Sequence, residues 1–242
     1  MRTVTFLGYP FFAGTLKELQ EAVEKAIRNG EKLHIVTANP EMLVIRNPDF
    51  CSVLRSAEIR LPDGIGVVLG ARVLRCGKLQ RFPGIEIAEI LMEWGQKQGW
   101  KFYFLGAQES VVTQAIENIK RRYPDLRISG FHHGYFTSNE EVLADIIRSA
   151  PNILFVGMGV PRQEMWIARY RSILPVQVFM GVGGSFDVWA GKFRRAPFLF
   201  RRLGLEWLWR VTCEPSRIRR IVPAFARFGV LLFQEWWRRR VV

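Results

Sequence analysis

The chain has 242 residues, 49% of them apolar, and a formal charge of +13. That size and composition predict one large α/β domain, or such a domain with an appendage. No uninterrupted apolar run approaches the ~20 residues of a membrane span, and Cys51, Cys76 and Cys213 have neither zinc-ligand nor disulfide-framework spacing.

In chain order, short apolar or β-branched runs at 3–6, 33–36, 58–61, 101–105, 128–131, 153–156 and 177–180 read as strands. Near the N-terminus the apolar stretch is short and broken by Pro10, which does not fit a secretory leader. Thr15 and Glu18 form a capping-box pattern before Leu19, Ala22, Val23, Ala26 and Ile27, and Asn29-Gly30 is the stop. Asn39-Pro40 suits an N-cap followed by the first helical position. A helix follows Arg81-Phe-Pro-Gly84 on Ile87, Ile90, Leu91 and Trp94. Another opens at Ser110 and runs to Tyr123-Pro124, and Ser138 to Glu141 repeats the capping-box pattern before Val142, Leu143, Ile146 and Ile147. Alternation of strand and helix, with nearly continuous apolar strands, predicts a mostly parallel Rossmann-like sheet covered by helices on both faces. The composition shifts at Gly191-Lys192, so residues 1–191 are predicted as the core and 192–242 as a basic helical appendage.

Ligands of such sheets bind outside the carboxyl ends of the strands. Two successive ends carry Thr37-Ala-Asn39 and Pro62-Asp63-Gly64. Asp63 between Pro and Gly reads locally as a turn former, and its place at a strand end beside Asn39 fits a general base; Asn39 fits a ligand contact and equally a helix cap. Arg81 suits a phosphate, or simply solvent. Three later strand ends carry glycines: Gly106; Gly157 and Gly159, followed by Gln163 and Glu164; and Gly181 and Gly183, followed by Asp187. Glycine turns let backbone amides approach a diphosphate, although none is a complete dinucleotide or P-loop fingerprint. Asp187 suits a ribose or a helix start. No Asp-x-Asp pair stands ready to hold a divalent metal, so no metal cofactor is expected. His34, inside a strand, reads as a packed residue.

Residues 192–242 hold thirteen Lys or Arg against Glu206, Glu214 and Glu235, while the other 191 residues are almost balanced. Trp207, Trp209, Trp236 and Trp237 lie in the same segment. Arginine mixed with Trp and Leu suits an anionic phospholipid surface. Arg210, Arg217 and Arg220 fall near one helical face, with Pro215 as a potential break.

Taken in order, Thr37-x-Asn39-x-Glu41, Pro62-Asp-Gly-Ile-Gly66, Arg81-x-x-Gly84, Gly157-x-Gly159-x-Pro161-x-Gln163-Glu164, Gly181-Val-Gly-Gly-x-Phe186-Asp187 and Arg195-Ala-Pro197 resemble the WecG/TagA/CpsF glycosyltransferase family over essentially the whole chain. Glu86 stands where that pattern suggests Asp. The resemblance implies an inverting, metal-independent bacterial enzyme, peripheral on the cytoplasmic face of the membrane. It would move an N-acetylmannosamine-type sugar from a UDP-sugar to undecaprenyl-diphosphate-GlcNAc, in wall teichoic acid or related polymer synthesis. It also implies Asp63 as base with Thr37 and Asn39 beside it. Arg81 and the glycine-turn residues would hold the nucleotide-sugar, and the three tail arginines the acceptor or its diphosphate. Another UDP-sugar in exopolysaccharide synthesis is the nearest alternative. A basic nucleic-acid-binding protein is the alternative of another class, although Leu231 to Trp237 is more apolar than a phosphate-tracking helix needs, and no nucleic acid is expected. A nicotinamide oxidoreductase lacks its fingerprint glycines, and an inactive membrane scaffold would not need Asp63, Thr37 and Asn39. Self-association into a homo-oligomer is compatible with the sequence.

Overall fold

The computed structural model describes residues 1–241. Its centre is a six-stranded, wholly parallel sheet made of β3 (Leu33–Ala38), β4 (Ile59–Pro62), β5 (Lys101–Gly106), β6 (Arg127–His132), β7 (Ile153–Gly157) and β8 (Val178–Gly181), in the order β4-β3-β8-β7-β5-β6. Side chains alternate across it. Phe102, Phe104 and Phe155 enter one core, and Tyr103, Leu105, Leu154 and Val156 another. The first core is closed by α1 (Leu16–Asn29), α5 (Gly84–Gln98), α6 (Glu109–Arg122) and α9 (Ser185–Trp189), the second by α7 (Asn139–Ser149) and α8 (Arg162–Tyr170). Apolar contact on both faces is why the strands read as nearly unbroken apolar runs.

The caps follow local chemistry. Thr15 and Glu18 complete a reciprocal capping box at α1. At α7 the Ser138 hydroxyl accepts from the Glu140 amide. The α6 helix starts at Glu109, one residue before the predicted Ser110.

One strand was not foreseen. β1 (Thr3–Phe6) turns back through Leu7 and Gly8 into antiparallel β2 (Tyr9–Phe12). Both turn residues have positive φ, 50° and 79°, which is the twist a two-residue hairpin needs. Pro10 hid this strand, yet Pro is tolerated where a strand has an unpaired side. The buried Arg60 guanidinium then donates to the carbonyls of Pro10 (2.6 Å), Leu54 (2.7 Å) and Ala57, tying the hairpin to β4 and to the end of α3 (Pro48–Ser56).

The hairpin shares a third core with α2 (Pro40–Leu43), α4 (Ile65–Val73) and the long C-terminal helix α12 (Ile218–Val241). Ile221, Ala224 and Phe228 of α12 are buried, and Phe228 meets Phe6 edge-on at 6.3 Å. Two short helices precede it, α10 (Phe198–Arg202) and α11 (Glu206–Cys213). The basic segment is therefore packed into the body of the protein. Arg195 pairs with Glu89 at 2.9 Å and with Glu86 at 3.1 Å, and Arg201 lies 3.9 Å from Glu86.

Candidate active site

Strand register brings the predicted residues to one edge. Thr37 is level with Leu61, Ala38 with Pro62, Val156 with Gly181, and Gly106 with Gly157. Outside these strand ends lies a cleft of about 1080 Å³. Thr37, Asn39, Asp63, Arg81, Gly157, Gly159, Gln163, Gly181, Gly183 and Asp187 line it, and the appendage adds Arg210, Arg217 and Arg220. Gly106 and Glu164 are not part of that lining.

Asp63 follows directly on β4, where its amide donates to the Ala38 carbonyl at 2.9 Å. It sits deep in the cleft, enclosed by protein but still reached by solvent. Burial pushes its carboxyl up to about 6, with Glu206 adding to the rise, while Arg210, the Gly84 amide and Arg81 hold it back. A carboxylate of that affinity is ionised at neutral pH and still accepts a proton readily, as a general base requires. Thr37 stands on the adjacent strand. A Cβ at Gly84 would lie 2.9 Å from the Thr37 hydroxyl oxygen, so only glycine allows the start of α5 to close on Thr37 and Asp63.

Asn39 lines the cleft, and its side-chain oxygen accepts from the Met42 amide at 3.1 Å. The helix-cap role is thus real, and that oxygen is engaged in it. Arg81 is not a free loop cation. It pairs with Glu206 at 3.3 Å and donates to the Arg201 carbonyl at 2.5 Å, fastening the appendage over the strand ends.

The glycine turns differ from the expectation of open amides. The Gln163 side-chain oxygen accepts from Gly159 at 3.2 Å and from Gly183 at 3.0 Å, so those two N–H groups knit the turns together. Its amide nitrogen donates to Glu164 at 2.6 Å. Glu164 lies behind the wall, and burial raises its carboxyl to about 7. Gly106 has a packing role, because a Cβ there would run into the Gly157 carbonyl oxygen. Asp187 faces Lys192 at 3.5 Å. His34 is buried as expected, and burial pulls its imidazole down to about 3.

The three tail arginines do not share a helical face. Arg210 is on α11, Arg217 in a 3-10 turn and Arg220 on α12, and the chain bends between them at Glu214-Pro215. The bend directs all three to the cleft. Arg217 pairs with Glu214 at 2.5 Å and Arg220 with Glu41 at 2.9 Å. These acid partners were not legible in the sequence, although Glu41 lies in the Thr37-x-Asn39-x-Glu41 run and acids are scarce in the tail. Arg46, Arg162, Arg219 and Arg227 also line the cleft, with no sequence signal marking them for it. In all, eight arginines and four carboxylates line the cleft, an excess that suits a multiply charged anion.

The sequence profile of the "Glycosyl transferase WecG/TagA/CpsF family" matches residues 4–242. This chain belongs to that family. It is 39% identical to an N-acetylglucosaminyldiphosphoundecaprenol N-acetyl-beta-D-mannosaminyltransferase of Bacillus spizizenii over 190 residues, covering 78% of this chain and 74% of the relative. Proteins of the same name from Bacillus subtilis and Staphylococcus aureus are each 34% identical, over 232 and 229 residues, covering 93% and 92% of this chain and 90% of each relative. The protein is a glycosyltransferase, and the cleft at its strand ends is its candidate active site.

Proposed function

We propose that this glycosyltransferase moves an N-acetylmannosaminyl group from a UDP-sugar to undecaprenyl-diphosphate-GlcNAc, with inversion and without a metal. The observation that carries the reading is Asp63: a carboxylate held at about 6, at the floor of an arginine-rich cleft. The acceptor hydroxyl gives its proton to Asp63 as its oxygen bonds to the anomeric carbon of the donor. The bond from that carbon to the diphosphate breaks on the opposite face, which inverts the centre, and UDP leaves. Charge growing on the leaving diphosphate is met by guanidinium groups, with Arg210, Arg217 and Arg220 exchanging carboxylate partners for phosphate oxygens. The substrates follow the names of the relatives, and the arginine excess supports a metal-free leaving group.

A lipid-linked acceptor supports attachment of the enzyme at a membrane. Among the described residues no helix is long and apolar enough to cross one. The α12 helix instead has a second apolar face. Ile218, Val222, Val230, Phe233 and Trp237 are exposed and fall within about 120° of one another around the helix. Leu69 and Val73 of α4 are also exposed, and Gly70 of that helix abuts Leu232 of α12. An exposed apolar stripe beside arginines suits peripheral attachment to the anionic cytoplasmic leaflet. Incubation with a panel of UDP-sugars and a lipid-diphosphate-GlcNAc analogue, reading UDP release, tests the reading. UDP release dependent on UDP-N-acetylmannosamine and acceptor is expected; release from no UDP-sugar overturns it.

A further inference from the structure

Beside the cleft lies a second, smaller pocket of about 30 Å³, room for about two water-sized groups. Ile85, Gly184, Glu206, Arg210 and Arg217 line both spaces, so the pocket adjoins the cleft. Ile85 follows Gly84, whose amide faces Asp63, and Arg210 lines the cleft together with Asp63. The pocket is thus a neighbour of the reacting atoms. Val188, Phe193, Ala196 and Trp209 give it a largely apolar wall. Arg195 also lines it. Its two terminal nitrogens are held by Glu86 and Glu89. A methyl-sized space whose open surface is largely apolar fits the methyl end of a small acyl amide better than it fits a hydroxyl or a charged group.

We propose that this pocket is an N-acyl subsite, which receives the acetamido group of a reacting sugar and limits it to acetyl. The inference rests on the acetamido-sugar chemistry proposed above, in which donor and acceptor both carry that group. Discrimination follows from volume. Acetyl supplies a methyl and a carbonyl, whereas butanoyl adds two methylenes to a space already filled. One surplus methylene in an apolar pocket changes kcat/KM by about 10-fold to 200-fold.

The experiment measures kcat/KM with two series of analogues: UDP-sugars bearing N-acetyl, N-propanoyl and N-butanoyl groups with the natural acceptor, and acceptors bearing the same groups with the natural donor. The wild-type enzyme is expected to lose about tenfold or more along one series. Phe193→Ala and Val188→Ala, which widen the pocket and leave Asp63 and the cleft arginines unsubstituted, are expected to reduce that loss to under about threefold. Recovery in the donor series assigns the pocket to the donor, and recovery in the acceptor series to the acceptor. Each ratio compares substrates on one enzyme, so partial unfolding of a variant does not imitate the effect. Equal use of all three acyl groups by wild type in both series overturns the proposal, even if neither variant folds. A wild-type preference unchanged in folded variants overturns it too. Absence of any transfer from N-acetyl donors would instead overturn the reading of the reaction.

Discussion

Replacing Asp63 with Asn is expected to separate catalysis from stability. The substitution keeps the shape and removes the basic oxygen. With its carboxyl at about 6, Asp63 is almost wholly ionised at pH 7.5, and losing a general base costs about 10²–10⁴ in rate. Stability should move the other way. The folded-state affinity lies above the ordinary carboxylate value of 3.8, so the folded protein holds this proton more tightly than the unfolded chain. The stabilising contribution is complete below about 4 and is lost as pH rises through about 6. Two units correspond to at most about 3 kcal/mol, and solvent access through the cleft reduces this to about 1–2 kcal/mol. Asp63→Asn should therefore melt a few degrees higher than wild type at pH 7.5. That advantage should shrink as pH falls from 7 to 4. UDP release and thermal melts across pH 4–8 read both effects, and the wild-type rate should fall on the acid side near 6. Turnover of Asp63→Asn within about threefold of wild type, with the fold intact, would refute the base assignment. A lower melting temperature at pH 7.5 would refute the electrostatic reasoning.

Other perturbations separate the remaining roles. Thr37→Ala should lower turnover by about tenfold or more, with circular dichroism unchanged; reduced stability at full specific activity would make Thr37 structural. Arg217→Ala and Arg220→Ala should each reduce turnover, by about 10²-fold if they meet the leaving or acceptor diphosphate, and should do so even with a water-soluble acceptor. Activity should survive EDTA; loss restored by Mg²⁺ or Mn²⁺ would show that the arginines are not sufficient. Phe233→Ser with Trp237→Ser should weaken sedimentation with anionic liposomes by about 10-fold to 100-fold and leave turnover of a soluble acceptor intact. These point changes are cleaner than deleting residues 228–242, because deletion also removes the buried Phe228 from the core.

Sequence periodicity alone determined the parallel sheet, because strands buried on both faces must be apolar throughout, and strand ends 33–38 and 59–62 had to present Thr37 and Asp63 to the same edge. Motif order was sufficient to indicate the family. The hairpin strand carrying Pro10 was not legible, since its pairing depends on an unusual turn at Leu7-Gly8 and on carbonyls taken up by the distant Arg60. Composition marked residues 192–242 as basic, but charge counting cannot say which arginines are neutralised. Tertiary structure decided that Arg81 and Arg195 hold the appendage in place, that Gln163 engages amides expected to face a diphosphate, and that α12 has one apolar face for the core and another exposed. Each of these depends on groups far apart in the chain meeting at hydrogen-bond or van der Waals distance. Local sequence carries no such information, because secondary structure fixes which way a side chain points, whereas long-range packing fixes what it meets.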